Sequence, residues 1–458
     1  MSRRRTNEKG AIRAVTECTP ETELFSIGRH SVSATFDDAR LSSDTGVVLL
    51  RQVDRQLGLS QRLSSALIDR RQSAKVLHAS RDLLLQRMLQ ICAGYEDASD
   101  ANTLRDDPAF QIALDRTPGE EGCRLASQPT LSRFEQRRRR DLVAFSNVLL
   151  DLWIARLRRR AKRSHKPPRI VLDFDSTDFI TYGDQQLALF HGHYGHYIYY
   201  PLLVFDQDGF PVAALLRPGR TRRAGVAAVL LRIVEKLTAS FQSFEVAIRA
   251  DAGFSSPDLY ELCETIGIDY VIGLITHRVL TDRAEPWMAE ARAIADRDGS
   301  AQLIRDFPFR WGRRTRHDRR IIAKAEVTSL GDNPRFMITN MTASAEEVYR
   351  FYTQRGRCEN HIKELKNALF GDRMSCHRFA ANQFRLLLHT AAYVLMLTLR
   401  ERLAGTVLAH VQFDTLRLRL IKIASLITVT ARRIWLRMSL AHPSTPHFQL
   451  AAARLNSS

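Results

Sequence analysis

At Lys166-Pro167-Pro168 the apolar spacing of the chain changes period, and the residues beyond it have to be built around a sheet. Before that point, segments such as residues 76–92 (VLHASRDLLLQRMLQIC) carry apolar residues at helical spacing, so residues 1–168 read as a helical region. After it, residues 170–175 (IVLDFD) are short, apolar and alternating. Residues 197–205 (YIYYPLLVF) and 210–216 (FPVAALL) flank Asp206-Gln207-Asp208-Gly209, a hairpin turn signal. A helix is expected over 223–239, a strand over 244–250, a helix from Ser256-Pro257 and a buried strand over 269–274. Three antiparallel strands followed by alternating helices and strands is the order of an RNase H-like α/β core, here over residues 169–275. Residues 276–343 again read as strand-like and Arg-rich, a β-rich insertion. A long helix is expected from Ser344 to about Phe370 within a core segment 344–377, and residues 378–458 read as helical, for DNA contact or dimerisation.

Charge narrows the partner. Lys plus Arg number 68 against 50 Asp plus Glu in 458 residues, a formal net charge of +18. Phosphate neutralisation by Lys and Arg is the main driving term for DNA binding, although a membrane surface or a ribosome fits the charge equally well. Two basic bursts, residues 137–140 and 156–163, close the helical region, and Arg138 and Arg139 are its candidate DNA contacts; the alternative is a solvated helix face. The six cysteines contain no Cys-x-x-Cys pair, which suits a reducing compartment and neither a disulfide framework nor a zinc ribbon. Residues 1–10 are basic with no apolar segment behind them, unlike a secretory signal. The longest apolar stretch, residues 386–399, contains His389 and suits a buried helix better than a membrane span.

Phosphoryl transfer on DNA uses two hard cations about 4 Å apart, and Mg²⁺ needs only a few converging carboxylates. Three acids stand where such a site requires them. Asp175 closes the first strand in Asp173-Phe174-Asp175-Ser176-Thr177, with Asp173 on the same face as a lesser rival. Asp251 directly follows an apolar strand in Arg249-Ala250-Asp251-Ala252-Gly253-Phe254, where α/β sheets bind ligands. Glu359 lies on the long helix with Tyr352, Arg355 and Lys366. At about 100° per residue these four share one face, while Glu364 points elsewhere. Each acid taken alone could equally be a turn cap or a helix ion pair, Arg355–Glu359 being an i,i+4 pair.

The spacing Tyr352-x2-Arg355-x3-Glu359-x6-Lys366, after Asp-Ser-Thr and Asp-Ala-Gly-Phe strand ends, resembles the Tyr-Arg-Glu-Lys signature of bacterial insertion-sequence transposases of the DDE class. Gly94-Tyr95-Glu96-Asp97, Leu104-Arg105-Asp106-Asp107-Pro108 and the run from Leu125 to Arg133 resemble the insertion-sequence 1380 family, related to the insertion-sequence 4 group. The resemblance implies that Asp175, Asp251 and Glu359 hold a pair of Mg²⁺ ions, for which Mn²⁺ can substitute. It implies that Tyr352, Arg355 and Lys366 contact phosphates near the cut end. It further implies a cytoplasmic, nucleoid-associated enzyme that cuts the terminal inverted repeats of its element. The freed 3′-OH strands are joined to target DNA by a homodimer holding two ends in a synaptic complex. Gly356 and Cys358 stand where relatives carry bulkier residues, which puts the regularity of that helix in question. The alternatives are an RNase H-like, metal-dependent nuclease that does not join strands and a catalytically silent DNA-binding protein.

Two further clusters carry weaker signals. His191-Gly192-His193-Tyr194-Gly195-His196 lacks a Cys or carboxylate to complete a metal set and suits a loop or strand near DNA. Phe309-Arg310-Trp311-Gly312-Arg313-Arg314 interleaves aromatic rings with Arg, so Trp311, Arg313 and Arg314 are candidate DNA contacts. Trp311 would stack an unpaired base or else fill the insertion's own small core.

Overall fold

The computed structural model describes residues 22–34, 39–221, 223–310 and 317–457. Between residues 47 and 164 the regular structure is helical, and the helix expected over 76–92 spans Ser80–Ala93. Ahead of it a hairpin of Thr22–Ile27 and His30–Ala34 departs from the helical reading. The last helix of this region, α1 (Arg139–Ser164), ends on His165 in the left-handed conformation (φ 52°), just before the Pro pair. Its Trp153 is fully buried and donates Nε1–H to Asp206 Oδ2 at 2.9 Å, which fixes α1 on the sheet.

The main sheet begins with β1 (Arg169–Ser176), β2 (Leu202–Asp206) and β3 (Pro211–Leu215), all antiparallel neighbours. Helix α2 (Val226–Thr238) leads to β4 (Glu245–Ala250), which pairs parallel with β1. Helix α3 (Pro257–Thr265), capped by Ser256, leads to β5 (Asp269–Leu274), parallel to β4. Along the chain these main-sheet elements follow the expected order of three strands, helix, strand, helix and strand, and in space the strands lie β3-β2-β1-β4-β5. Burying a large apolar side chain such as Phe174, Phe205 or Tyr270 in this sheet contributes about 2–3 kcal/mol.

Three expectations are corrected. The stretch 197–205 is two strands, not one: His196–Tyr199 joins a small separate sheet and β2 joins the main one, because Pro201 has no N–H to continue a ladder. The region after Thr276 opens with a helix, α4 (Arg278–Asp298), which buries Leu280, Ala284, Met288 and Ala291 at helical spacing and carries Pro286 in its interior. Its strands β6 (Ala301–Phe309), β7 (Arg319–Thr328) and β8 (Arg335–Thr339) are no free-standing unit, since β8 pairs with β5 and extends the core sheet. The C-terminal region is helical only in part. Strands Ser425–Val429 and Ile434–Met438 form a hairpin that also pairs with Leu41–Ser42.

The helix expected from Ser344 is segmented. Helix α5 (Ala345–Thr353) starts on a capping box of Ser344 with Glu347. A tight turn at Gln354-Arg355 follows, then α6 (Gly356–Lys363) and a π-helical turn over Glu364–Ala368. The next helix, α7 (Phe379–Glu401), contains the apolar stretch 386–399 and is buried on all its faces through most of its length. Its Gln383 covers the open edge of β3, accepting from Leu216 N–H at 2.6 Å and donating to Ala214 O at 3.1 Å. Among the described residues no helix is long and apolar enough to cross a membrane.

Candidate active site

The register of the sheet brings two of the acids together. Phe174 of β1 lies opposite Ala250 of β4, so one residue further on Asp175 is level with Asp251, both at the carboxyl ends of parallel strands. Asp251 caps the following turn, its Oδ1 accepting from Gly253 N–H at 2.9 Å. Glu359 arrives from α6. Arg355 joins the elements: Nη1 donates to Asp175 Oδ2 at 3.0 Å and Nη2 to Glu359 Oε1 at 3.4 Å. Asp251, Tyr352, Arg355 and Glu359 line one cavity of about 640 Å³ between the core and the segment 324–337. Burial pushes the Asp175 carboxyl up to about 6; Arg355 opposes the shift, and repulsion from Asp251 and Glu359 adds to it.

The interruption between α5 and α6 sets the geometry of the other predicted contacts. Turn bonds Arg355 N–H to Tyr352 O at 3.0 Å and Cys358 N–H to Arg355 O at 2.8 Å tighten the backbone, as the helix-weakening Gly356 allows. Tyr352 is held against the strand end by Gly273, which no motif in the sequence singles out. A Cβ on Gly273 would lie 2.7 Å from the Tyr352 hydroxyl and 3.1 Å from Ala252 N. Beyond α6 the π turn re-aims Lys366, whose Nζ donates to Asp178 O at 2.8 Å and to Thr177 Oγ1 at 3.2 Å, just past Asp175. Glu364 does point elsewhere: it is buried against Arg400, with Tyr393 donating to it at 3.2 Å.

Asp173, on the same face as Asp175, is engaged otherwise. Arg249 Nε and Nη2 donate to its two oxygens at 2.7 Å each, and both side chains are only 3 % exposed. Arg249 also donates to Phe351 O at 3.0 Å, which ties β1, β4 and the end of α5 together. A lone Arg in the apolar run FEVAIRA was the available signal, since a buried guanidinium needs a carboxylate at its own level of the sheet. Arg217, also missed, is buried and donates Nη2–H to Ser176 Oγ at 2.6 Å and Nε–H to Tyr200 O at 2.9 Å, bracing the end of β1. Burial lowers its guanidinium to about 10.

The remaining candidates are not gathered at this site. Arg138 and Arg139 sit exposed at the start of α1, with no contact to the three acids among the described residues. In the second basic burst, Arg156 pairs with Glu401 at 2.6 Å and Arg160 with Asp208. Trp311, Arg313 and Arg314 lie outside the described residues. Among the described residues no three His, Cys, Asp or Glu side chains are arranged to hold a metal ion. The histidine run instead packs ring against ring, His191 lying 5.0 Å from Tyr194 and 6.0 Å from Tyr200.

The family described as transposase DDE domain group 1 matches residues 25–458. No curated protein matches the chain. Among solved structures, one titled as the piggyBac transposase synaptic complex with hairpin DNA is similar over 78 % of this chain and 75 % of that one, at 12 % identity and a TM-score of 0.36. That likeness is too slight to support an argument, but the family match spans nearly the whole sequence: this chain belongs to the DDE transposase family.

Proposed function

We propose that this transposase binds the terminal inverted repeats of an insertion sequence, cleaves the DNA ends and transfers the 3′-OH strands into target DNA. Its core is read as RNase H-like, and its subgroup as the insertion-sequence 1380 family. The observation that carries the reading is that Asp175 and Asp251 stand level at two adjacent strand ends, that Arg355 bridges Asp175 to Glu359, and that Asp251 and Glu359 line one cavity. A raised carboxyl at Asp175, crowded by two other acids, suits a site that takes up positive charge.

The donor set has the chemistry that a pair of Mg²⁺ ions takes, with Mn²⁺ able to substitute, because all three groups are hard oxygen ligands, but as placed, with Arg355 between Asp175 and Glu359, the three are not gathered to hold an ion. Such ions would activate the attacking water or 3′-OH and stabilise the leaving oxygen. Asp175, Asp251 and Glu359 would hold them. Arg355 spans Asp175 and Glu359, and ion loading requires its guanidinium to swing to a phosphate. Tyr352 and Lys366 border the same strand ends and position the DNA backbone, while Gly273 and Arg217 hold the walls in place. Arg138 and Arg139 lie apart and serve end binding, and two chains hold two ends in the reacting complex.

The test is a labelled duplex ending in the element's own terminal repeat, incubated with a circular target and Mg²⁺. Joined product supports the reading. Nicking without joining makes the chain a nuclease, and binding without either makes it a DNA-binding protein that has lost its chemistry.

A further inference from the structure

Between β1 and β2 the chain leaves the core to form a small antiparallel sheet of Phe179–Ile180, His196–Tyr199 and Leu189–His191. It starts at Phe179, a short step past Asp175, where Lys366 grips Thr177 and Asp178. Where it joins the core, Phe179, Ile198 and Tyr199 are fully buried. At its outer end the register sets Phe190 opposite Tyr197, with ring centroids 5.7 Å apart, and these residues are 42 % and 59 % exposed. Tyr182, 80 % exposed, adds a third ring from the same segment. A monomer gains nothing from presenting several large rings to water on one short hairpin.

The charge around these rings selects the partner. Arg220 donates Nε–H to Phe190 O at 3.0 Å and is exposed, with no ion pair among the described residues. From Phe179 to Tyr200 the only acid is Asp184, whereas His191, His193 and His196 lie in the same stretch. Exposed aromatic faces with cations and almost no carboxylate are what unpaired nucleotides require: every base has a face to stack, and every linkage has a phosphate to neutralise. Double-stranded DNA hides its base faces and would leave these rings unused.

We infer that the exposed ring pair Phe190–Tyr197, at the outer end of this small sheet, stacks unpaired bases of the DNA strand that runs out of the active centre. The inference rests on the transposase reading only in naming DNA as the polymer. It gives the site a preference for ends that carry a single-stranded extension, independent of whether bonds are broken.

The experiment measures binding of the full chain, in chelator, to blunt duplexes and to duplexes with a short overhang carrying 2-aminopurine. Wild type binds the overhang more tightly and quenches its fluorescence. Phe190→Ala with Tyr197→Ala loses the quenching and about tenfold of the overhang preference per ring, with blunt-end affinity unchanged. Both side chains are exposed, and an unaltered melting transition confirms that the variant is folded. Equal preference in the variant and wild type, or no preference in wild type, overturns the inference. So does a change of oligomeric state in the double variant, which makes the ring pair a contact between copies. Because no cleavage is read, an inactive enzyme that still shows the preference sinks the transposase reading and leaves this one standing.

Discussion

Replacing Asp173 by Asn separates a structural acid from the three proposed as ion ligands. Asp173 and Arg249 face each other on adjacent strands with two bonds of 2.7 Å, and both side chains are 3 % exposed. Removing the carboxylate charge leaves a guanidinium buried without its counterion, which costs about 3–5 kcal/mol. Arg249 keeps the Phe351 carbonyl at 3.0 Å, so the lower end, about 3 kcal/mol, is expected. For a cooperative unit of about 200 residues that is a fall in Tm of roughly 6–12 °C. Differential scanning calorimetry in chelator reads the shift, and a repeat with Mg²⁺ reads whether ions still stabilise the fold. Asp173→Asn should melt early yet retain ion stabilisation, whereas Asp175→Asn should lose it. Asp173→Leu combined with Arg249→Met, which removes both charges, should recover most of the loss. An Asp173→Asn protein that melts like wild type but no longer responds to Mg²⁺ refutes the reasoning and makes Asp173 an ion ligand.

The raised carboxyl at Asp175 gives a pH signature. Its folded value of about 6 exceeds the unfolded value near 3.8, so the folded state binds more protons in that window. In chelator its contribution to stability is therefore full below about pH 4 and lost as pH rises through about 6, and Asp175→Asn should flatten that slope in thermal melts. Ion affinity should change in the opposite sense, rising through about pH 6, and calorimetric titration on either side of that value checks it. Gly273→Ala places a methyl 2.7 Å from the Tyr352 hydroxyl and should cut end cleavage more than about tenfold in a folded protein; full activity means that Tyr352 does not need its place. Lys366→Ala removes a partly exposed contact worth at most about 1 kcal/mol of stability. It should lower the salt slope of DNA binding by about one, and an unchanged slope removes Lys366 from the phosphate track.

What could be read from the sequence was local. The strand ends at Asp175 and Asp251 carry their signals within a few residues, an apolar alternation followed by an acid, and Ser344 with Glu347 announces a helix start. The helix Arg278–Asp298 escaped because its buried stripe includes two alanines and Pro286 breaks the pattern. The hairpin 425–438 pairs with Leu41–Ser42, far away in the chain, a dependence no local window holds. The candidate site was legible as three acids and a helix face, but the helix is not regular: the tight turn at Gln354-Arg355 and the π turn at Glu364–Ala368 decide where Arg355 and Lys366 reach. Arg249 and Gly273 matter through neighbours distant in sequence, Asp173 and Tyr352, which only the folded chain reveals.

The central claim is that Glu359 joins Asp175 and Asp251 in one ion-dependent centre for DNA cleavage. Its most direct test compares wild type with Glu359→Gln on a duplex carrying the element's own end, with Mg²⁺, scoring strand nicking and duplex binding in the same reactions. The account predicts that wild type nicks at the element boundary while the variant binds equally well and leaves the strand intact. A variant that nicks as fast as wild type makes Glu359 an ordinary helix acid paired with Arg355, and contradicts the assignment of the site.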